Sequence, residues 1–306
     1  MTGLFWLIFT YIALFLFLVL MVYRILAIMR MPAHLRWELA PIPHEKGKNK
    51  YGGSYLEEFE WWKKKRQKSL MAIIIYMAME ILLLKGVWKN NRGLWPFSFS
   101  LHTGIYLVII SAVLHFINAM VIVAGVSGSV PDIFKGIAAV IAIIGYILGS
   151  LGAIGLFVKR ASDTKYRDYS TFPVYFRLIF LAAIFVSGIF AWFYATNFAA
   201  ELSLFISNLL TLNNGITLAI PLAVNVIIAL LFIIYLPLTD MVHFITKFFT
   251  YHAVRWNDEP MDKKMEEKLN DLAKQPLNWS ASHIKADGRK NWVDLTEEET
   301  GEKEKS

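Results

Sequence analysis

The chain has 306 residues, 56% of them hydrophobic and only 18% charged, with a mean hydropathy of +0.47. A soluble chain of that length would fold as about two domains, but this one repeats uncharged runs long enough to cross a bilayer as helix, so it reads as one membrane bundle with polar appendages. The absence of cysteine excludes disulfides, thiolate zinc sites, iron-sulfur ligation and covalent c-type haem attachment by this chain. The net charge of +7 resides on Lys and Arg beside apolar spans, where membrane topology accounts for it and no nucleic-acid function is read.

The uncharged runs extend from Met1 to Tyr23, Gly93 to Pro131, Gly136 to Val158, Leu178 to Ala200 and Leu202 to Thr239, each long enough for one span. The expected fold is therefore all-α, a polytopic bundle of about five transmembrane helices. The first run lacks a basic segment before it, and Tyr23-Arg24 is a poor cleavage site, so it is read as a retained span. The second and last runs exceed one straight crossing, with breaks expected at Pro96 and at Asn213-Asn214-Gly215.

A sixth apolar segment, Leu70 to Leu84, is short and contains Glu80. If it does not cross, 30 of the 31 Lys and Arg residues share one side and Lys135 alone lies opposite, as the positive-inside rule requires. The segment is thus expected to lie along the inner face, with the N-terminus out and the C-terminus in. The resulting domain reading is 1–29 for the first span, 30–92 for a cytoplasmic loop with the interfacial helix, 93–250 for a four-helix core and 251–306 for a cytoplasmic tail.

The loop combines Arg36-Trp37-Glu38-Leu39-Ala40-Pro41-Ile42-Pro43, Tyr51-Gly52-Gly53-Ser54-Tyr55, Trp61-Trp62 and Lys63-Lys64-Lys65-Arg66. Two readings suit it: an aromatic belt with a basic lipid-facing cluster, or a docking surface for a partner protein. The tail has a helical stretch near Met261 to Leu272, then Trp279 and Trp292 in polar sequence, and disorder is expected over Glu297 to Ser306.

Of seven histidines, His34, His44 and His283 fall in the polar parts, while His102 and His115 lie on the second span and His243 and His252 at the end of the fifth. Ionisable side chains at membrane depth are costly and usually functional, and neutral imidazole is the common ligand of b-type haem. His102 and His243 each lie about one turn inside the same face, so antiparallel helices bring them together. His115 is about 20 Å farther along, where a partner on helix five would fall near Leu230 and no histidine occurs. His252, nine residues after His243, points to the opposite side of a continuous helix. One haem follows from this placement; a second does not.

Asp240, or the carbonyl of Thr239, is expected to accept the Nδ1 proton of His243. Arg177 and Lys247 either meet haem propionates or snorkel as topology charges. Gly145, Gly149, Gly152 and Gly155 form a small-residue ridge suited to close helix packing or to a flat haem or quinone surface.

The segments Leu101-His102-Thr103-Gly104-Ile105 and Pro237-Leu238-Thr239-Asp240-Met241-Val242-His243 resemble the gamma-subunit family of respiratory nitrate reductase from about Gly93 onward. The Arg36-Trp37-Glu38-Leu39 and Tyr51-to-Tyr55 loop and Tyr251-His252-Ala253-Val254-Arg255-Trp256 look like a narrower branch, the cytochrome b subunits of heterodisulfide-reductase-like membrane complexes, such as the tetrahaem-cytochrome complex of sulfate-reducing microbes. The resemblance implies a subunit of a prokaryotic inner membrane that carries haem b and passes electrons between a quinone and a cytoplasmic iron-sulfur subunit, with an extracytoplasmic multihaem cytochrome c as a further partner. It places His102 and His243 as axial ligands of the inner haem. The family's outer haem uses a second histidine on each helix; here His115 falls three residues late and Asn225 occupies the helix-five neighbourhood. His115 is therefore left to a quinone site, to a haem with another ligand, or to a pairing with His243 while His102 takes His252. The rival to an electron-transfer subunit is a non-haem transporter or scaffold with a histidine-lined pathway.

Overall fold

The computed structural model describes residues 2–31, 43, 45, 47–48, 53–54, 57–64, 69–256, 263–278 and 287–302. Most of the polar loop, including His34, the Arg36-to-Leu39 segment, His44, Tyr51 and Tyr55, lies outside the described residues, as do Trp279 and His283. The chain is 79% helical, and among the described residues there is no strand.

The first helix, α1 (Gly3–Met29), starts where the Thr2 side chain accepts the Phe5 N–H. Two short helices follow, α2 (Leu70–Leu82), capped by the Ser69 hydroxyl, and α3 (Lys85–Asn90). Then come α4 (Trp95–Val123), α5 (Ser129–Ser162), the single turn α6 (Thr164–Arg167), α7 (Phe172–Tyr194), α8 (Phe198–Leu210), α9 (Ile220–Tyr235) and α10 (His243–Phe249). Among the described residues, five helices are long and apolar enough to cross a membrane: α1, α4, α5, α7 and α9 with its 3-10 extension to Leu238. At 13 residues α2 spans about 20 Å, short of a hydrocarbon core of about 30 Å.

Helix α1 begins beside the loop after α8, where Gly3 abuts the Asn214 carbonyl, and its other end reaches α10. It therefore ends where α4 begins, and α2 stays at that same end of the bundle. Neighbouring helices pack in the order α4, α5, α7, α9, α1. Helices α4 and α9 make little direct contact, and α8 packs against α4 toward the Val123 end.

The tightest seam joins α4 and α5. A Cβ at Gly104 would come within 2.4 Å of the Gly149 nitrogen, and one at Gly152 within 2.2 Å of the Leu101 nitrogen. Gly145 faces Val108, and Gly155 faces the ring of Phe97. The glycine ridge thus serves backbone approach, as small residues do where no hydrophobic gain separates helix contact from lipid contact. Side chains then bond across the seams: Ser111 Oγ to the Ala138 carbonyl at 2.8 Å, Trp192 Nε1 to the Ala139 carbonyl at 3.0 Å, and Asn225 Nδ2 to the Ile184 carbonyl at 2.8 Å.

Three boundaries differ from the expectations. The second run divides at 124–128, and Pro96 is not a break but lies in the first turn of α4, where its missing N–H costs nothing. Helix α5 starts at Ser129, before the uncharged run that opens at Gly136, and takes in Asp132 and Lys135, which pair one turn apart at 2.6 Å. The last run holds two helices. Glu201 ties them together by accepting the Asn197 N–H before α8 at 3.3 Å and the Ala219 N–H before α9 at 2.8 Å. The Asn213-Asn214-Gly215 break is present, with Asn213 Oδ1 accepting the Gly215 N–H at 2.8 Å.

By internal contacts the chain divides into 1–55 with 66–255, which holds the bundle, and 56–65 with 256–306. The second unit contains α11 (Lys263–Ala273) and α12 (Trp292–Glu302). The expectation of disorder from Glu297 is corrected over 297–302, which continue α12. The missed signal was a cap: Asn291 Oδ1 accepts the Val293 and Asp294 N–H groups, and Asp294 reciprocates at the Asn291 N–H, 2.9 Å.

Candidate haem-ligand site

The helix-five region does not run straight to His243. Pro237 cannot donate to the ladder, Thr239 is extended, and its hydroxyl caps the turn that follows by accepting the Met241 N–H at 3.1 Å. That break gives α10 its own orientation and sets His243 in its first turn. The ring centroids of His102 and His243 lie 6.1 Å apart with planes inclined by 66°.

Each imidazole is oriented through Nδ1. That of His102 donates to the Ser98 carbonyl one turn back at 2.7 Å, and that of His243 contacts the Asp240 carbonyl at 3.3 Å. Donation at Nδ1 puts the lone pair on Nε2, the tautomer a metal ligand needs. Two metal–nitrogen bonds of about 2 Å plus roughly 1 Å from each nitrogen to its ring centre give about 6 Å between centroids. The donor set, the tautomer and the spacing therefore fit two axial ligands of one haem iron. Among the described residues there is no group of three or more His, Cys, Asp or Glu placed to hold a metal ion.

The remaining expected site residues fall as follows. The Asp240 carboxylate does not reach His243; it pairs with Arg177, and the Asp240 main-chain carbonyl, rather than that of Thr239, faces the ring. Lys247 is engaged too, donating to Glu80 Oε2 at 2.9 Å. The two cations expected at propionates are thus both in ion pairs, Lys247 with the buried Glu80 carboxylate and Arg177 with the exposed one of Asp240. His252 contacts the Phe248 carbonyl through Nδ1 at 2.9 Å and stacks on the Phe248 ring at 4.3 Å.

His115 belongs to a separate arrangement. It is fully buried, with Nδ1 2.9 Å from the Ser203 hydroxyl of α8, which also accepts from Asn118 Nδ2 at 3.0 Å. Its Nε2 and the Asn118 Oδ1 make no hydrogen bond. At the level of helix five the polar group is Asn225, which donates to the Ile184 carbonyl and to Ser187 Oγ and receives the Tyr146 hydroxyl at 3.4 Å. The structure brings His115 to a serine and an asparagine, not to a second histidine.

Sequence reasoning missed Glu80, Tyr106, Asn118 and Ser203. Tyr106 donates its hydroxyl to the Ile81 carbonyl at 2.9 Å, and its ring lies 6.3 Å from that of His102. Glu80 had a visible signal, a carboxylate within an apolar run, but nothing in the sequence named its partner 167 residues away. Comparison with protein-family models, with curated proteins and with solved structures finds no match for the chain.

Proposed function

We propose that the chain is the b-type haem membrane subunit of a respiratory oxidoreductase complex, passing electrons between a membrane quinone and a cytoplasmic iron-sulfur partner. The observation that carries this reading is the meeting of His102 and His243 at 6.1 Å, each with Nδ1 on a backbone carbonyl. The haem would supply a one-electron couple between ferric and ferrous iron. The protein's part would be to hold two neutral imidazoles close together, fix each ring through Nδ1, and keep the site at one end of an apolar bundle. Because the chain has no cysteine, the clusters that exchange electrons with this site belong to a partner.

Charge supports the sidedness. With α1 ending where α4 begins, Lys85, Lys89 and Arg92 before α4, Lys159 and Arg160 at the end of α5, and Lys247 on α10 lie at the His102 end, which the positive-inside rule would assign to the cytoplasm. The partner would therefore approach the end that carries the ligand pair. The prokaryotic inner membrane, a heterodisulfide-reductase-like iron-sulfur partner and an outer multihaem cytochrome c rest on the resemblance described above. The transporter alternative finds no specific support, since His115 is sealed between Ser203 and the Phe198 ring rather than lining a path. A reduced-minus-oxidised optical spectrum of the purified full chain, expressed with ample haem, tests the reading: b-type bands are expected, and their absence removes it.

A further inference from the structure

Glu80 is the one buried residue of α2, 4% exposed in a helix whose apolar side chains Met71, Ile74, Ile75 and Leu82 are all more than half exposed. A carboxylate in such a helix is expensive at membrane depth, and leucine would serve membrane contact better. Its surroundings show what it does. Lys247, one turn after His243 on α10, donates to Glu80 Oε2 at 2.9 Å and also reaches the Glu80 carbonyl at 3.5 Å. Tyr106, one turn after His102 on α4, donates to the carbonyl of the next residue, Ile81. Gly86 leaves the carboxylate room to turn, since a Cβ there would sit 3.2 Å from Glu80 Oε2. Trp95 Nε1, at the start of α4, bonds the Leu83 carbonyl at 2.9 Å. The end of α2 thus grips both ligand-bearing helices, each at a point one helical turn from its imidazole.

We propose that Glu80 is a positioning residue: through Lys247, and with the Ile81 carbonyl on Tyr106, it closes a circuit His102, Tyr106, Ile81, Glu80, Lys247, His243 that sets the separation of the two imidazoles. Its charge also offsets that of Lys247 beside the site. The spectroscopic half of this inference rests on the haem reading above; the geometric half does not.

The test uses the full chain in detergent or nanodiscs, with Glu80→Gln, Glu80→Leu and the double variant Glu80→Gln/Lys247→Met. Glutamine keeps an acceptor for Lys247 but removes the charge, so haem is retained and its midpoint potential rises, because an uncompensated cation favours the reduced iron. The double variant returns the potential toward the wild-type value. Leucine removes the acceptor as well, and haem retention weakens by about 10-fold or more, the usual range for losing a partner behind a ligand. In a structure of Glu80→Leu the His102–His243 ring separation grows beyond 6.1 Å. Unchanged retention, potential and ring separation in all variants would reduce Glu80 to a docking contact of α2 and overturn the proposal. If the wild-type chain shows no b-type bands, the haem reading fails, while the ring separation in Glu80→Leu still decides the circuit.

Discussion

The seam between α4 and α5 gives the sharpest structural prediction. In Gly104→Ala the new Cβ would lie 2.4 Å from the Gly149 nitrogen, 2.5 Å from its Cα and 2.8 Å from the Gly145 carbonyl oxygen, all backbone atoms with no rotamer to yield. Ordinary contact is about 3.5–4 Å, so the helices must part by roughly 1 Å along a seam that also holds Gly152 against Leu101. Overpacking of this kind costs about 1–3 kcal/mol, and more where both sides are main chain. Gly136→Ala is the internal control, since nothing lies within 4 Å of a Cβ there and alanine is the better helix former by about 0.5–1 kcal/mol. Thermal or denaturant unfolding in one detergent should rank Gly136→Ala at or above wild type and Gly104→Ala clearly below it. His102 is two residues from Gly104, so haem retention should fall together with stability. Equal stability of the two variants would refute the close approach of α4 and α5.

Other outcomes follow from the polar seams. Ser203→Ala strands His115 Nδ1 and Asn118 Nδ2 in a dry interior and should cost about 1–3 kcal/mol in unfolding free energy, with any haem spectrum unchanged. Asn225→Leu removes bonds to Ile184 and Ser187 and should cost about 0.6–1.7 kcal/mol, again without spectral change. Outside the spans, the hydrogen bond from Lys159 holds the Asp163 carboxyl below the usual carboxylate range, helped by the Lys165 N–H. Its folded value is depressed, so its contribution is present above the ordinary carboxylate pKa and is lost as pH falls through the lowered one. The protection factor of the Lys165 amide, its exchange relative to an unstructured peptide at the same pH, should stay constant near neutrality and fall in acid, and Asp163→Asn should abolish that dependence.

The five spans were legible because uncharged length alone decides which segments can cross. The non-crossing status of α2 was legible from charge asymmetry, and the start of α1 beside Asn214 agrees with it. Local exceptions to the charge count were not: Lys135 lies inside α5, paired with Asp132 one turn away. The division of the last run depended on Glu201, which serves two helix starts by accepting the N–H groups of Asn197 and Ala219. At the site, helical rise and antiparallel packing were enough to bring His102 to the level of His243. The partners of Lys247 and Arg177 were hidden because Glu80 and Asp240 meet them only through the tertiary placement of α2, α7 and α10.

Haem extracted per chain, measured on wild type, His102→Ala, His243→Ala and His115→Ala under identical haem-replete expression, decides whether His102 and His243 are the ligand pair. About one b-type haem is expected in wild type, with loss in the first two variants and retention in His115→Ala. Haem that survives both His102→Ala and His243→Ala, or that disappears with His115→Ala alone, would contradict that pairing.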